Sequence, residues 1–247
     1  MQNNIIITGA AQRLGLHCAL TLQHAGFQVT ATYRSEKPGL QQLKDAGVHC
    51  IQLDITEPNA LADFIDSIKQ QLGSLRGLIH NASDWKKDLP LSDCDNARAA
   101  LAADAAVYDA MQAVHAKAPY LLNRAFTPLL QAHDGVTDII HLTDFVASVG
   151  SSKHMAYAAS KAALENLTYS FARALAPKVK VNAIAPALLL FNDHDDACYR
   201  AKTLQKSLLQ VEPGAAELSN TVMYLLNSRY ITGKVIDLDG GRHLNLP

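Results

Sequence analysis

Two residues that could carry proton chemistry lie four positions apart in the stretch Tyr157-Ala-Ala-Ser-Lys161. At that spacing on a helix the phenol and the ammonium share one face. A neighbouring cation favours the phenolate, so Lys161 is expected to lower the pKa of Tyr157 from about 10 toward working pH. Tyr157 would then serve as a proton donor to a substrate undergoing reduction. The pair alone is a weak signal, because any helix surface can carry it.

Short apolar runs that alternate with helical stretches must position this pair. Continuous apolar strands separated by helices indicate a parallel sheet covered on both faces. Seven strands are predicted at 5–8, 27–33, 48–53, 78–80, 138–142, 178–184 and 234–238. Helices are predicted from the turn after the first strand to about 26, and at 57–72, 96–131, 154–176 and 214–227. The pattern predicts an α/β fold, one doubly wound domain over residues 1–247, with a lid or substrate loop at about 187–210.

A glycine turn, Thr8-Gly9-Ala10-Ala11-Gln12-Arg13-Leu14-Gly15, directly follows the first strand and opens the first helix. In a Rossmann-type fold the backbone N–H groups of such a turn face a dinucleotide pyrophosphate. Gly9, Arg13 and Leu14 are therefore candidate cofactor contacts. A tight strand-to-helix turn without a ligand is the alternative.

The end of the second strand discriminates between the two nicotinamide dinucleotides. NAD sites usually carry a carboxylate there for the ribose 2′-hydroxyl, whereas NADP needs a cation. The strand ends Tyr33-Arg34-Ser35, with no acid. The planar fork of Arg34 suits a 2′-phosphate, and Ser35 adds a hydroxyl, so NADPH is the predicted cofactor. A solvated Arg34 is the alternative.

Composition excludes several classes of protein. The chain has 247 residues, 49% hydrophobic and 18% charged, with a net charge of −1. That balance predicts no nucleic-acid or membrane partner. The four cysteines lack metal-type spacing, the first residues lack a signal-peptide pattern, and no apolar run reaches the roughly 20 residues of a membrane span. We therefore expect a cytoplasmic protein without a metal, in which Asn192-Asp193-His194-Asp195-Asp196 is a solvated acidic lid.

Taken together and in this order, the motifs resemble the short-chain dehydrogenase/reductases over the whole length. They are the glycine turn, Leu53-Asp54, His80-Asn81-Ala82, Tyr157-x-x-x-Lys161, Asn182-x-x-x-Pro186 and Asp239-Gly240-Gly241. The resemblance implies that Asp54 meets the adenine and that Asn81 and Pro186 lie along the cofactor. It also implies that Lys161 holds the nicotinamide ribose and that Tyr157 is a further cofactor contact. It also implies a homotetramer packed through the helices at 96–131 and 154–176.

Three residues depart from the common pattern of that family. Arg13 replaces the middle glycine of the turn, Asp144 replaces the catalytic serine expected thirteen residues before the tyrosine, and His115 stands where a helix asparagine supports the proton relay. The first two departures occur together in pteridine reductases. Other stretches, among them residues 139–144 and 190–196, are most similar to the bacterial family that reduces dihydromonapterin.

A pterin is a flat, amide-rich heterocycle, so its site needs an aromatic plate and hydrogen-bond partners at the edge. The resemblance implies that Trp85, the single tryptophan, sandwiches the pterin against the nicotinamide and that Ser83 contacts its edge. Arg13 could reach the pterin oxo group or the pyrophosphate. Asp144 could orient Tyr157 or a water, or accept from the pterin amino group.

The expected reaction is NADPH-dependent reduction of the C6–N5 bond of a 7,8-dihydropterin, with Tyr157, Lys161 and Asp144 as the catalytic residues. Direct and water-mediated protonation of N5 stay open, as do the role of His115 and the choice among monapterin, biopterin and folate side chains. Two alternatives are a general NADPH-dependent carbonyl or enoyl reductase and a non-catalytic dinucleotide-binding regulator. Asp144 and Arg13 argue against the first, and the intact Tyr157 and Lys161 against the second.

Overall fold

The computed structural model describes residues 3–88 and 97–245 and contains one seven-stranded sheet in which all neighbouring strands are parallel. The order across the sheet is β3-β2-β1-β4-β5-β6-β7. This confirms the predicted α/β fold. The strands are β1 Asn4–Ile7, β2 Gln28–Tyr33, β3 His49–Gln52, β4 Gly77–His80, β5 Thr137–Leu142, β6 Val179–Pro186 and β7 Val235–Leu238.

The helices agree with the longer predicted stretches and add short ones. They are α1 Arg13–His24, α2 Gly39–Asp45, α3 Pro58–Gln71, α4 Ala97–Gln112, α5 Ala118–Ala132, α6 Val146–Val149, α7 Met155–Leu175, α8 Ala197–Leu204 and α9 Ala215–Asn227. A π-helical turn, Ala113–Lys117, joins α4 to α5, and a 3-10 turn covers Arg242–Leu244. The predicted helix start at 96 and Cys94 lie outside the described residues. No helix in the described ranges is long and apolar enough to span a bilayer.

Three helices and the 3-10 turn were not predicted, because each is too short to show a helical period. One of them, α8, lies inside the segment expected to be a loop at 187–210. Its first turn is capped by Asp196, whose side chain accepts a hydrogen bond from the N–H of Tyr199. The acidic run therefore leads into a helix, and the segment predicted to be a lid is partly helical.

Strand β1 shows why both faces of the sheet are covered. Side chains alternate across a strand, so Ile5 and Ile7 pack into one core cluster and Ile6 into the other. The first cluster includes Leu22 of α1 and residues of α9, and the second includes residues of α3 and α5. Burying both faces of one apolar strand requires helices on either side, which produces the doubly wound architecture.

The position of β1 also creates the functional crevice. It pairs with β2 on one side and β4 on the other, so the chain leaves β1 at the point where the strand order reverses. Ligands of open α/β sheets bind outside the carboxyl ends of the strands at such a switch point. The glycine turn follows β1 there, and Arg34, Asn81 and Asp144 follow β2, β4 and β5 at the same edge.

Candidate active site and dinucleotide cleft

Tyr157 and Asp144 form a hydrogen-bonded pair at the carboxyl edge of the sheet. The Tyr157 hydroxyl, on the first turn of α7, donates to Oδ2 of Asp144 at 2.9 Å. The other oxygen of Asp144 accepts the N–H of Val146 at 3.0 Å, which orients the carboxylate. The sequence suggested that Asp144 could orient Tyr157, and the structure brings the two together.

Lys161 lies one helical turn after Tyr157 and is buried. Its ammonium donates to the carbonyl of Leu142 at 2.8 Å and lies 5.7 Å from the centroid of the Tyr157 ring. Burial lowers the pKa of Lys161 to about 8, while the charge of Asp144 opposes that drop. The helix therefore places the ammonium below the phenol ring, where the strand carbonyl anchors it.

The pKa of Tyr157 is raised above its ordinary value of 10, so the expectation that Lys161 lowers it is wrong. Burial is the largest cause, followed by the charge of Asp144 and by the hydrogen bond that Asp144 accepts, whereas Ser83 has the opposite effect. A buried phenolate beside a carboxylate is unfavourable, and Lys161 does not overcome both effects. Tyr157 is consequently a neutral hydroxyl that can donate a proton.

His115 is fully buried beside this pair, on the π-helical turn between α4 and α5. Its Nε2 lies 2.8 Å from the Ser83 hydroxyl and its Nδ1 lies 2.8 Å from the Ser160 hydroxyl. Its ring meets that of Tyr157 edge-on, with centroids 5.2 Å apart. Burial, with the nearby charge of Lys161, lowers the pKa of His115 to about 2, so the imidazole is neutral.

The glycine turn packs tightly against the loop that follows β4. Gly9 has a φ of +68°, and a Cβ there would lie 2.6 Å from the Cα of Ala82, so only glycine fits. The side-chain amide of Asn81 donates to the carbonyls of Thr8 at 3.0 Å and Gly9 at 2.7 Å. Asn81 therefore holds the turn in shape.

A cleft of about 340 Å³ extends from this turn along the ends of β2 and β3. Among the predicted cofactor residues, eight line it: Gly9, Arg13, Leu14, Tyr33, Arg34, Ser35, Asp54 and Asn81. Tyr157, Lys161 and Pro186 do not line this cleft, whereas Ser83 does. Lys37 also lines the cleft but was not predicted from the sequence. Its position as a second cation shortly after the end of β2 could have identified it.

One end of the cleft is cationic. Arg34 and Lys37 are both exposed there, with Ser35 between them, and the adjacent Glu36 is not among the lining residues. The guanidinium of Arg34 lies 3.0 Å from the carboxylate of Asp84, in the loop after β4. Two cations and a hydroxyl suit a phosphate, so the residues present fit a dinucleotide that carries a 2′-phosphate.

The five predicted substrate residues lie in three places: one group of three residues, Trp85, and Arg13, which is described in the next paragraph. Ser83, Asp144 and Tyr157 lie together through the contacts described above. Trp85 is 60% exposed, with its ring centroid 4.2 Å from that of His154.

Arg13 has an unusual backbone conformation and contacts the segment that was predicted to be a lid. Its φ is +53°, in the left-handed region that favours the glycine it replaces. Its guanidinium donates to Oδ1 of Asn192 at 2.7 Å and to the carbonyl of Leu190 at 3.1 Å. The structure thus gives Arg13 a partner that the sequence did not suggest, between the cleft and the segment 187–210.

Two of the remaining motifs have structural contacts. Asn182 donates to the carbonyl of Ile231 and accepts from the N–H of Lys234, which ties β6 to the approach to β7. Asp239 accepts from the N–H groups of Gly241 and His243, which closes the final turn. Across the described ranges, no group of three or more His, Cys, Asp or Glu side chains is arranged to hold a metal ion.

A buried chain of polar side chains lies behind the site and was missed from the sequence. His80 Nε2 contacts the Asn123 amide at 2.7 Å, the amide contacts His141 Nε2 at 3.0 Å, and His141 Nδ1 contacts the hydroxyl of Thr168 at 2.7 Å. The chain links β4, α5, β5 and α7. The clue in the sequence was that His80 and His141 lie at or next to the carboxyl ends of their strands. In the sheet these strands are neighbours, and the two histidines pair in register.

The sequence of this chain is similar to those of known proteins over nearly its whole length. Residues 9–243 match the family model described as enoyl-(acyl carrier protein) reductase, which belongs to the short-chain dehydrogenase/reductases. The chain is 46% identical over 244 residues to the dihydromonapterin reductases of Klebsiella pneumoniae subsp. pneumoniae and of Escherichia coli strain K12. Each alignment covers 97% of this chain and 96% of the relative.

A solved structure adds the fold-level comparison. FolM alternative dihydrofolate reductase 1 from Brucella canis, complexed with NADP, superposes with a TM-score of 0.84 at 28% identity. The superposition covers 99% of this chain and 95% of that chain. The agreement in sequence and in fold extends over nearly the whole length, and the chain therefore belongs to the short-chain dehydrogenase/reductase family, as a relative of the dihydromonapterin reductases.

Proposed function

We propose that this protein is an NADPH-dependent reductase of 7,8-dihydropterins, with dihydromonapterin as the preferred substrate and dihydrofolate as a weaker one. The observation that carries the proposal is the hydrogen bond from Tyr157 to Asp144 beside a cleft with a cationic end. Asp144 replaces a serine of the wider family, and the 46% identical relatives are dihydromonapterin reductases. A neutral phenol and a carboxylate suit protonation of a ring nitrogen.

NADPH, when bound, supplies the hydride for the reduction. We propose that the glycine turn and Asn81 hold its pyrophosphate region, that Asp54 meets the adenine, and that Lys161 and Pro186 hold the nicotinamide end. Tyr157 delivers the proton to N5: its raised pKa keeps the hydroxyl protonated until hydride transfer makes N5 basic, and the phenolate left behind then regains a proton from water. An ionised Asp144 accepts the hydrogen bond of Tyr157 and so orients the phenol, but cannot itself donate a proton.

The substrate is proposed to lie over the loop after β4. Trp85 offers an exposed aromatic face, which a pterin ring could cover. The segment 187–210, held by Arg13 through Asn192 and Leu190, is the proposed lid. Because Arg13 belongs to the glycine turn and also contacts the proposed lid, binding at the cleft and closure of the lid are expected to depend on each other.

The experiment that tests the proposal is an assay of NADPH oxidation by the purified protein. Dihydromonapterin, dihydrofolate, simple ketones and an enoyl thioester are offered in parallel at matched concentrations. Rapid oxidation with dihydromonapterin and slower oxidation with dihydrofolate are expected. Turnover of ketones or the thioester with neither pterin would instead make this a general carbonyl or enoyl reductase. NADPH binding without any turnover would make it a non-catalytic regulator.

Replacing Arg34 by alanine is expected to weaken NADPH binding while it leaves NADH binding nearly unchanged. The guanidinium lies at the cationic end of the cleft, where the 2′-phosphate is proposed to bind. Loss of a charge-assisted hydrogen bond costs about 1.5–3 kcal/mol, or roughly 10- to 100-fold in Kd. Nucleotide fluorescence titration measures both constants, with Arg229→Ala as a control outside the cleft. An equal loss for NADPH and NADH would contradict the assignment.

The pH profile should show a loss of activity on the alkaline side, near pH 8. The pKa of Lys161 is lowered to about 8, so the ammonium is charged below that pH and neutral above it. The proposed role of Lys161 needs the charge, so kcat/KM falls as pH rises through this value. Tyr157, with its raised pKa, stays protonated over the same range. The variant Lys161→Arg keeps its charge, so the kcat/KM that it retains should not decline near pH 8. A kcat/KM of the native protein that stays constant up to about pH 10 would contradict the prediction.

Oligomeric state and location complete the proposal. We propose a homotetramer packed through α4, α5 and α7, because these helices carry exposed aromatic side chains such as Tyr108, Tyr120 and Tyr169. A light-scattering mass equal to four chains would support it.

We also propose a cytoplasmic location, since Cys18, Cys50 and Cys198 are free thiols, as in a reducing compartment.

A further inference from the structure

The imidazole of His115 bridges two serine hydroxyls on different elements. Nε2 lies 2.8 Å from the Oγ of Ser83, in the loop after β4, and Nδ1 lies 2.8 Å from the Oγ of Ser160, on α7. His115 and Ser160 are fully buried, whereas Ser83 is exposed and lines the cleft. The imidazole therefore connects a buried hydroxyl with one that a substrate can reach.

The direction of the hydrogen bonds follows from groups that can act in one way only. The backbone N–H of Asp84 donates to Nε2 at 3.3 Å, so Nε2 is unprotonated and Nδ1 carries the hydrogen. Nδ1–H then donates to Ser160, whose own hydroxyl donates to the carbonyl of Tyr157 at 2.7 Å. The same assignment agrees with a hydrogen bond from His115 to the backbone of Met111.

Ser83 is thereby left with one favourable orientation. Its hydroxyl hydrogen points to Nε2 at 2.8 Å, in preference to the carbonyl of Asp84 at 3.4 Å. Its oxygen is then an acceptor at the wall of the cleft, next to the Tyr157 hydroxyl with which Ser83 also interacts. A flat heterocycle with an amino or ring N–H at its edge satisfies that acceptor, whereas an edge that presents only acceptors does not.

We propose that His115 is a positioning residue that holds the Ser83 hydroxyl as an acceptor for an N–H group of the substrate. The inference rests on the proposed dihydropterin substrate and adds a specificity determinant to it. The backbone supports the role, because His115 lies in a π-helical turn, a feature frequent at functional sites. Its pKa of about 2, lowered by burial, also keeps the ring neutral and the orientation of Ser83 constant across working pH.

Two amide substitutions separate the two ends of the imidazole. In His115→Asn the amide lies near the position of Nδ1 and is too short to reach Ser83, whereas in His115→Gln it extends to the position of Nε2. We expect H115N and S83A each to raise the KM for dihydromonapterin by roughly 3- to 10-fold, the cost of one hydrogen bond, with kcat changed far less. H115Q should recover most of the affinity. The double variant S83A/H115N should resemble either single variant, because both remove one interaction.

Thermal unfolding and the Kd for NADPH are measured for every variant, since a structural defect would change both. Three results would overturn the inference. The first is that the effects of H115N and S83A on KM multiply in the double variant, and the second is that H115N has the native KM. The third is that H115Q raises KM as much as H115N does. Absence of pterin turnover by the native protein would refute the proposed function instead. Binding of dihydromonapterin in the presence of NADP, followed by Trp85 fluorescence, then tests His115 by itself, and equal affinities across the variants would overturn the inference.

Discussion

Replacing Tyr157 by phenylalanine should lower kcat for dihydropterin reduction by about 10²- to 10⁴-fold, the usual contribution of a positioned general acid. We propose that the hydroxyl is the proton donor, because its raised pKa keeps it protonated and its hydrogen bond to Asp144 fixes its direction. Phenylalanine retains the edge-on contact with His115, so the fold and the cleft should persist. Steady-state NADPH oxidation gives kcat, and nucleotide titration gives the cofactor affinity.

Tyr230→Phe is the control, because Tyr230 is a fully exposed tyrosine that lies outside the cleft and outside the helices proposed to form the tetramer. That variant should retain native kcat. A Y157F protein with more than about a tenth of native kcat would show that Tyr157 is not the principal donor. Loss of NADPH binding in Y157F would show that the substitution had disturbed the cleft, and the comparison would then be made with Tyr157→His, which keeps a proton donor on the ring.

Replacing Asp138 by asparagine should lower the free energy of unfolding by about 3–5 kcal/mol, as expected when one partner of a buried ion pair is removed. Asp138, at the amino end of β5, is buried and pairs with Arg76 and with Lys180, whose ammonium lies 2.9 Å away. Burial raises the pKa of Asp138 even against these two cations, so the carboxylate is itself costly to bury. Removal of its charge nevertheless leaves two largely buried cations without a counter-charge.

The same cations hold the end of α9. Arg76 donates to the carbonyl of Leu226, and Lys180 donates to the carbonyl of Leu225 at 2.6 Å. Unfolding in guanidinium chloride measures the loss in the free energy of unfolding. The protein concentration is held fixed, because the stability of an oligomer depends on it. Asp134→Asn, an exposed carboxylate just before β5, is the control and should lie within about 0.5 kcal/mol of the native protein. A loss below about 1 kcal/mol in D138N would mean that Arg76 and Lys180 reorganise to reach water.

The strands, the longer helices and the glycine turn could be predicted from the sequence because each depends on local pattern. A parallel strand buried on both faces must be apolar throughout. Runs such as Ile5-Ile6-Ile7 can therefore be recognised as strands without knowledge of the neighbouring strands. The candidate pair Tyr157 and Asp144 was also accessible, since its spacing along the chain matched a known family. Short helices such as α8 were not, because one or two turns show no clear period.

Properties that depend on burial and on distant partners came only from the tertiary structure. The pKa of Tyr157 rises because of burial and of Asp144, and the spacing of Tyr157 and Lys161 on a helix contains neither of those quantities. The contact of Arg13 with Asn192 and that of His115 with Ser83 join segments far apart in the chain. The sequence by itself determined the sheet, the glycine turn and the family. Packing decided which side chains are neutral, which are paired and which line the cleft, because these properties depend on neighbours that are distant in the chain.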